Sequence, residues 1–222
     1  MICALIPAKG VSERITSKNL QVLRGRTLVE WAIKAALEAD LRTYVSTESR
    51  AIAQFCQGAT IIPRPLHLCR PDVTDLPVIS HFLDSVGKEV DLLVYLRPTT
   101  PWRDSARISE AIHLLLSDTS ASGLRSVQLL EEPPGKCFHL GSDMRLDPVA
   151  SWRASEQPGQ EHRQVWKPNG YVDICRGELP PGSASPWGEQ VIGYKTEAVI
   201  EIDEPYHLEW ARAYASYTNA LP

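Results

Sequence analysis

Near the amino terminus the run Pro7-Ala8-Lys9-Gly10-Val11-Ser12-Glu13-Arg14-Ile15-Thr16-Ser17-Lys18-Asn19 gathers the cations Lys9, Arg14 and Lys18 around one glycine and the hydroxyl of Ser12. Backbone amides in such a turn can form a nest for an anion, and flanking cations neutralise phosphoryl oxygens. The run is neither a P-loop nor a dinucleotide fingerprint, because the glycines those motifs need are absent. Taken alone, it also describes an ordinary basic, solvated loop. Near the other end stand Glu201 and Asp203, two positions apart. On a strand that spacing puts both carboxylates on one face. There they could hold a hard cation, or simply cap the helix expected from Pro205, since helix N-termini attract acids.

Other chemistries find less support. The six histidines are scattered and no His-Glu-x-x-His pattern occurs, so a histidine-rich metal site is not expected. Ser12 has no evident His or Asp partner for nucleophilic hydrolysis. The five cysteines include no Cys-x-x-Cys pair, which leaves buried thiols as the expectation. The irregular spacing of the six tryptophans suits packing better than base stacking.

The elements that must position these residues follow from periodicity and punctuation. Ile2 to Pro7 reads as a buried strand. Leu28 to Ala39 keeps helical spacing, and Thr27 with Glu30 forms a capping box at its start. Thr43 to Ser46 is a strand, Ser49 to Gln57 a helix closed by Gly58, and Ala59 to Ile62 a strand ended by Pro63. A helix over Val78 to Val86 precedes the interior strand Leu92 to Leu96. Asp104 caps the next helix, with Ile108, Ala111, Ile112 and Leu115 on its apolar side. Gly123 to Leu129, Gln190 to Tyr194 and Ala198 to Ile202 read as strands, and Pro205 to Tyr214 as the last helix. Strands alternating with helices imply a doubly wound, mostly parallel sheet. Ligands in such sheets sit beyond the carboxyl ends of the strands, where strand order reverses. Residues 131–168 break the pattern and read as an excursion from a single domain, with too few apolar residues for a core of their own.

A chain of 222 residues, 43% hydrophobic, is enough for one such domain with a sizeable core. Its 23 Lys and Arg against 27 Asp and Glu give a net charge of −4, with no electrostatic footprint for nucleic acid. No apolar run reaches the roughly 18–20 residues a membrane span needs. The first residues lack the basic start and apolar stretch of a secretory signal, so a cytoplasmic protein is expected.

Further segments stand where the sheet would bring them to the first loop. They are Arg64-Pro65-Leu66-His67-Leu68, Leu96-Arg97-Pro98-Thr99-Thr100-Pro101-Trp102-Arg103, Lys167-Pro168-Asn169-Gly170-Tyr171-Val172-Asp173, and Val199-Ile200-Glu201-Ile202-Asp203-Glu204. In order and spacing these segments and the first loop resemble the acylneuraminate cytidylyltransferase family, from Ile6 to about Ala211. The resemblance implies a Rossmann-like nucleotidyltransferase of three α/β/α layers, coupling CTP to a 2-keto sugar acid with release of pyrophosphate. It also implies Mg²⁺ as cofactor and a homodimer, with 131–168 reaching towards the partner.

Carried over by position, Lys9, Lys18 and Asp203 would be catalytic. Ala8, Gly10, Ser12, Arg14, Asn19 and Arg64 would join Lys9 and Lys18 around the nucleotide. Arg97, Thr99, Lys167, Asn169 and Asp173 would line the sugar side, and Glu201 with Asp203 would hold the metal. Several positions depart from the family pattern. Lys9 replaces an arginine and gives a point charge in place of a bidentate fork. Glu13 stands at a lysine position and is expected to point outward, Arg97 replaces a glutamine, Asp173 a tyrosine and Glu201 an aspartate. Arg97 leaves open a different nucleotide, a sugar phosphate or a phosphonate. Lys9, Glu13 and Glu201 leave open a silent nucleotide-binding relative.

Overall fold

The aliphatic run after Met1 becomes an interior strand of the sheet because both of its faces can be buried. In the computed structural model, which describes residues 1–87, 89–179 and 182–217, β1 (Ile2–Pro7) lies between two parallel neighbours. A 3-10 turn at Lys18–Leu20 and the small hairpin β2 (Val22–Leu23) and β3 (Arg26–Thr27) lead into α1 (Leu28–Glu38). There follow β4 (Arg42–Thr47), α2 (Arg50–Ala53), β5 (Thr60–Pro63), α3 (Asp75–Val86), β6 (Leu92–Tyr95), α4 (Ser105–Ser117) and β7 (Gly123–Leu129). The excursion carries the hairpin β8 (Phe138–Leu140) and β9 (Leu146–Pro148) and the single turn α5 (Trp152–Ser155). The chain re-enters the sheet with β10 (Trp166–Arg176) and β11 (Val191–Lys195) and ends its described part with α6 (Pro205–Tyr217).

Strand order is β11-β7-β10-β6-β1-β4-β5, parallel throughout except for β10, which runs antiparallel to both β6 and β7. The period of two along β1 sorts its side chains between two layers. Ala4 and Ile6 join Val45 and Val94 under α1 and α4, whereas Leu5 joins Tyr44, Leu93 and Tyr95 under α3. The expected α/β/α sandwich follows. At the head of α1 the side chain of Thr27 accepts from the Glu30 amide while Glu30 accepts from the Thr27 amide at 2.7 Å, the reciprocal cap expected from the sequence. Among the described residues no helix is long and apolar enough to cross a membrane.

The structure corrects the sequence expectation at several places. Ala198 to Ile202 is not a strand: Ile200 and Ile202 pack instead into a small cluster with Leu28, Trp31 and Leu208, and the segment runs as a coil beside the turn after β6. The helix expected over Ser49 to Gln57 is only α2, which buries Ile52 alone, too narrow an apolar stripe to carry further turns. The excursion ends earlier than 168, because Trp166, Lys167 and Pro168 already pair with Leu129, Gln128 and Val127. The long β10, interrupted in sequence by Pro168 and Gly170, had no periodic signal of its own. Cys3, Cys56 and Cys175 are buried, but Cys69 is half-buried and Cys137 exposed. Trp152 and Trp210 are exposed too, against the expectation that the tryptophans serve packing.

Candidate active site

The chain leaves β1 for β4 and β5 on one side and returns to β6 on the other, so strand order reverses at β1. Beyond the carboxyl ends of these strands lies a cleft of about 320 Å³. Lys9, Lys18 and Asn19 come to it from the loop after β1, Arg64 and Arg70 from beyond β5, Asp75 from the head of α3, Arg97 and Thr99 from beyond β6, and Glu201 and Asp203 from the coil before α6.

The first loop is folded by its own polar groups. Asn19 Nδ2 donates to the Lys9 carbonyl at 2.8 Å, drawing the two ends of the loop together. The Gly10 amide donates to Glu48 Oε1 at 2.7 Å, and a Cβ on Gly10 would lie 2.9 Å from Ser49 Cβ, so only glycine allows this close approach. Lys18 Nζ donates to Asp203 Oδ1 at 2.8 Å, and Arg14 pairs with Glu204 at 3.0 Å. Cations from one end of the sequence are thus tied to acids from the other.

Not every residue expected here faces the cleft. Ala8 is buried and its amide donates to the Ser46 carbonyl at 2.9 Å, so that amide is not free for a ligand. Gly10, Ser12 and Arg14 lie outside the lining, and Glu13 is exposed as expected. Arg64 does line it, buried and held by Ser46 through Nε to Oγ and Nη2 to the carbonyl, each at 3.0 Å.

On the opposite wall, Arg97 arrives already paired. It donates to Asp75 Oδ2 at 2.6 Å and to Asp173 Oδ2, and its guanidinium lies 5.0 Å from the Tyr95 ring centroid. Burial works against that charge, but Asp173 and then Asp75 more than offset it and hold the guanidinium above its ordinary pKa. Asp173 is 0% exposed and also meets Arg125 at 3.3 Å; it lies beneath the cleft. Asn169 is likewise buried, donating to Thr196 Oγ1 at 2.6 Å and accepting from the Tyr171 amide at 3.2 Å, where β10 shifts register. Lys167 is exposed on β10 and does not line the cleft.

Sequence reading missed Asp75 and Arg70 in the lining. Thr74-Asp75 just ahead of the apolar run from Val78 is a helix-start signal that could have placed Asp75 at this end of α3. It also passed over Arg103, which is fully buried and donates only to backbone carbonyls. Burial pushes the thiols of Cys3 and Cys56 up to about 11 and that of Cys175 to about 12, which keeps them protonated and unreactive.

Burial, and then the neighbouring Asp203, raise the Glu201 carboxyl above the usual carboxylate range. The folded chain therefore binds more protons than the unfolded chain between the unfolded pKa and the raised one, and stability falls as pH climbs through that window. At neutral pH the ionised Glu201 is a burden on the fold. Glu201→Gln is expected to raise the melting temperature at pH 7 by a few degrees at most, on a scale of roughly 2–4 °C per kcal/mol for a chain of this size. Below about pH 4, where the parent carboxyl is protonated in both states, the difference should vanish. Thermal melts from pH 3 to 8 test this; an unchanged or lowered neutral-pH melting temperature contradicts it.

Against known proteins, residues 3–69 match a family model described as Cytidylyltransferase. The N-acylneuraminate cytidylyltransferase A of Danio rerio is 30% identical over 213 residues, covering 94% of this chain and 49% of that protein. The CMP-N,N'-diacetyllegionaminic acid synthase of Legionella pneumophila is 26% identical over 223 residues, covering 95% of this chain and 93% of that one. The chain spans about half or less of the length of the N-acylneuraminate cytidylyltransferases it matches. In fold it is similar to a CMP:2-keto-3-deoxy-manno-octonic acid synthetase complexed with CTP, with a TM-score of 0.70 at 16% identity over 97% of this chain and 98% of that one. Along nearly its whole length the chain is similar in sequence to the acylneuraminate cytidylyltransferases, and its fold is that of a nucleotidyltransferase.

Proposed function

We propose that the chain is a cytidylyltransferase: it transfers CMP from CTP to the anomeric hydroxyl of a 2-keto sugar acid and releases pyrophosphate. One observation carries this reading, the meeting of Lys9, Lys18 and Arg64 with Glu201 and Asp203 in a single cleft. The names of the relatives, N-acylneuraminate cytidylyltransferase and CMP-N,N'-diacetyllegionaminic acid synthase, support CTP as donor and a sialic acid-like acid as acceptor. In the reaction the hydroxyl oxygen bonds to the α-phosphorus, the bond to the pyrophosphate oxygen breaks, and the hydroxyl proton is lost. Two anions must be brought together, so positioning and charge neutralisation dominate the barrier. Lys9, Lys18 and Arg64 would neutralise the triphosphate. The paired Arg97 has little charge left for a further anion, whether a sugar carboxylate, a phosphate or a phosphonate.

Mg²⁺ fits the donor set as a nucleotide-borne ion. Among the described residues no group of three or more His, Cys, Asp or Glu could hold a metal by itself. Mg²⁺ commonly takes one or two carboxylates and completes its shell with water and substrate phosphates. Glu201 and Asp203 would supply those carboxylates; burial and then Asp203 disfavour the charge on Glu201, and a cation there would favour it. The ion would supply positive charge at the phosphates when bound.

The excursion supports a homodimer. It exposes Leu140 (61%), Met144 (74%), Leu146 (50%) and Trp152 (59%), an apolar set that a second copy would cover. A cytoplasmic location would suit this reading. Pyrophosphate release with CTP, Mg²⁺ and a panel of 2-keto-3-deoxy sugar acids tests the whole scheme. Release with CTP well above that with ATP, GTP or UTP is expected. No release with any acceptor, alongside CTP binding, would instead identify a silent nucleotide-binding relative.

A further inference from the structure

Arg103 is only 2% exposed and is the largest of the fully buried side chains. Its guanidinium donates to four backbone carbonyls and is within ion-pair reach of no carboxylate among the described residues: Nε to Tyr171 at 2.5 Å, Nη1 to Thr100, and Nη2 to Arg97 at 2.7 Å and Gly170 at 2.9 Å. A buried cation without a carboxylate is an expensive way to join two segments, and an apolar side chain would pack as well. What an apolar residue cannot do is hydrogen-bond four carbonyls at once, which the rigid fork of an arginine does.

Those carbonyls belong to the turn after β6 and to the irregular stretch of β10 beside it. The turn after β6 carries Arg97 and Thr99, both in the lining. Gly170, at φ 64°, lies where β10 shifts register, and a Cβ there would come within 3.3 Å of Glu201 Oε1, 3.5 Å of Thr100 Oγ1 and 3.7 Å of Arg97 Cδ. The same turn holds the acid-bearing coil, since the Ile202 amide donates to the Thr99 carbonyl at 2.7 Å. The guanidinium thus joins the turn to β10, and the acid-bearing coil hangs on that turn; Arg103 itself is not in the cleft lining.

We propose that Arg103 is a positioning residue that sets the turn bearing Arg97 and Thr99 against the coil bearing Glu201 and Asp203. The cationic wall stands on other elements, so nucleotide capture should survive its loss while the transfer step suffers. The kinetic part of this inference rests on the cytidylyltransferase reading; the part concerning backbone order does not.

Arg103→Lys keeps the charge and removes the fork. By hydrogen exchange, the Ile202 amide should exchange at least about tenfold faster in this variant, with amides of β1 and β6 keeping their protection. In the transfer assay, kcat should fall roughly 10–100-fold, as a misplacement of about 1 Å can cause, while KM for CTP changes less than about threefold. If Arg103→Lys does not fold, Gly170→Ala strains the same junction from the other side and should give the same pattern. Unchanged Ile202 protection, or protection lost equally across the sheet, overturns the inference, as does a variant altered only in KM for CTP. Should the parent release no pyrophosphate from CTP with any acceptor, the functional reading fails, and the exchange pattern alone decides the role of Arg103.

Discussion

Lys18→Ala is expected to lower pyrophosphate release from CTP by roughly 10²–10³-fold, the usual loss when one preorganised charge at a reacting centre is removed. Lys18 is pinned at Asp203 Oδ1 and faces the same cleft as Lys9 and Arg64. Taking away its ammonium removes one neutralising charge and also frees the Asp203 carboxylate to repel the triphosphate. Asp203→Asn should lose a similar factor, because the acid proposed to hold the cation is gone. Since the two groups act as a unit, Lys18→Ala with Asp203→Asn should lose far less than the product of the single losses.

Stability separates this from unfolding. The pair is partly solvated, with side-chain exposures of 18% and 40%, and such pairs contribute about 0–1 kcal/mol. Melting temperatures of all three variants should therefore stay within a few degrees of the parent. Most of the activity surviving in Lys18→Ala, or losses that simply multiply in the double variant, would remove Lys18 from the phosphate site.

Asp173→Ala should produce the largest loss of stability. Its carboxylate is fully buried and balances both Arg97 and Arg125. Deleting one partner of a buried pair leaves a desolvated charge uncompensated, which costs about 3–5 kcal/mol. For a chain of this size that is a fall in melting temperature of roughly 6–20 °C. Replacing the charge but keeping the shape, as in Asp173→Asn, should recover only part of it, because two guanidiniums would still share no anion inside the sheet. A melting temperature within 2–3 °C of the parent in Asp173→Ala would mean that water or Asp75 alone satisfies Arg97, and that Asp173 is available for another role.

The resemblance to CMP-sugar synthetases was legible because its carriers are local. A strand's worth of aliphatic residues, a capping box, a basic loop and a pair of acids keep their meaning wherever the chain places them. The strands β1, β4, β5, β6 and β7 and the helices α1 and α4 follow from spacing alone, since a period of two or of 3.6 declares which face will be buried. β10 was not legible, because its pairing partners at residues 92–95 and 123–129 are distant in sequence and Pro168 and Gly170 break its pattern. Ala198 to Ile202 looked like a strand because it is β-branched, but no neighbouring strand takes it up, and tertiary packing against Leu28 and Trp31 overrode the propensity.

Residue types by themselves pointed to an α/β fold, and made the basic loop and the paired acids candidates for an anion and a cation. Only the tertiary structure decided how those charges are shared. Lys18 meets Asp203, while Arg97 is spent on Asp75 and Asp173 before any ligand arrives. Asn169 turns inward to hold the bend in β10, and Arg103 clamps four carbonyls. The physical reason is that a charge's role depends on its partners and its distance from water, and both are set by contacts between segments far apart in the chain.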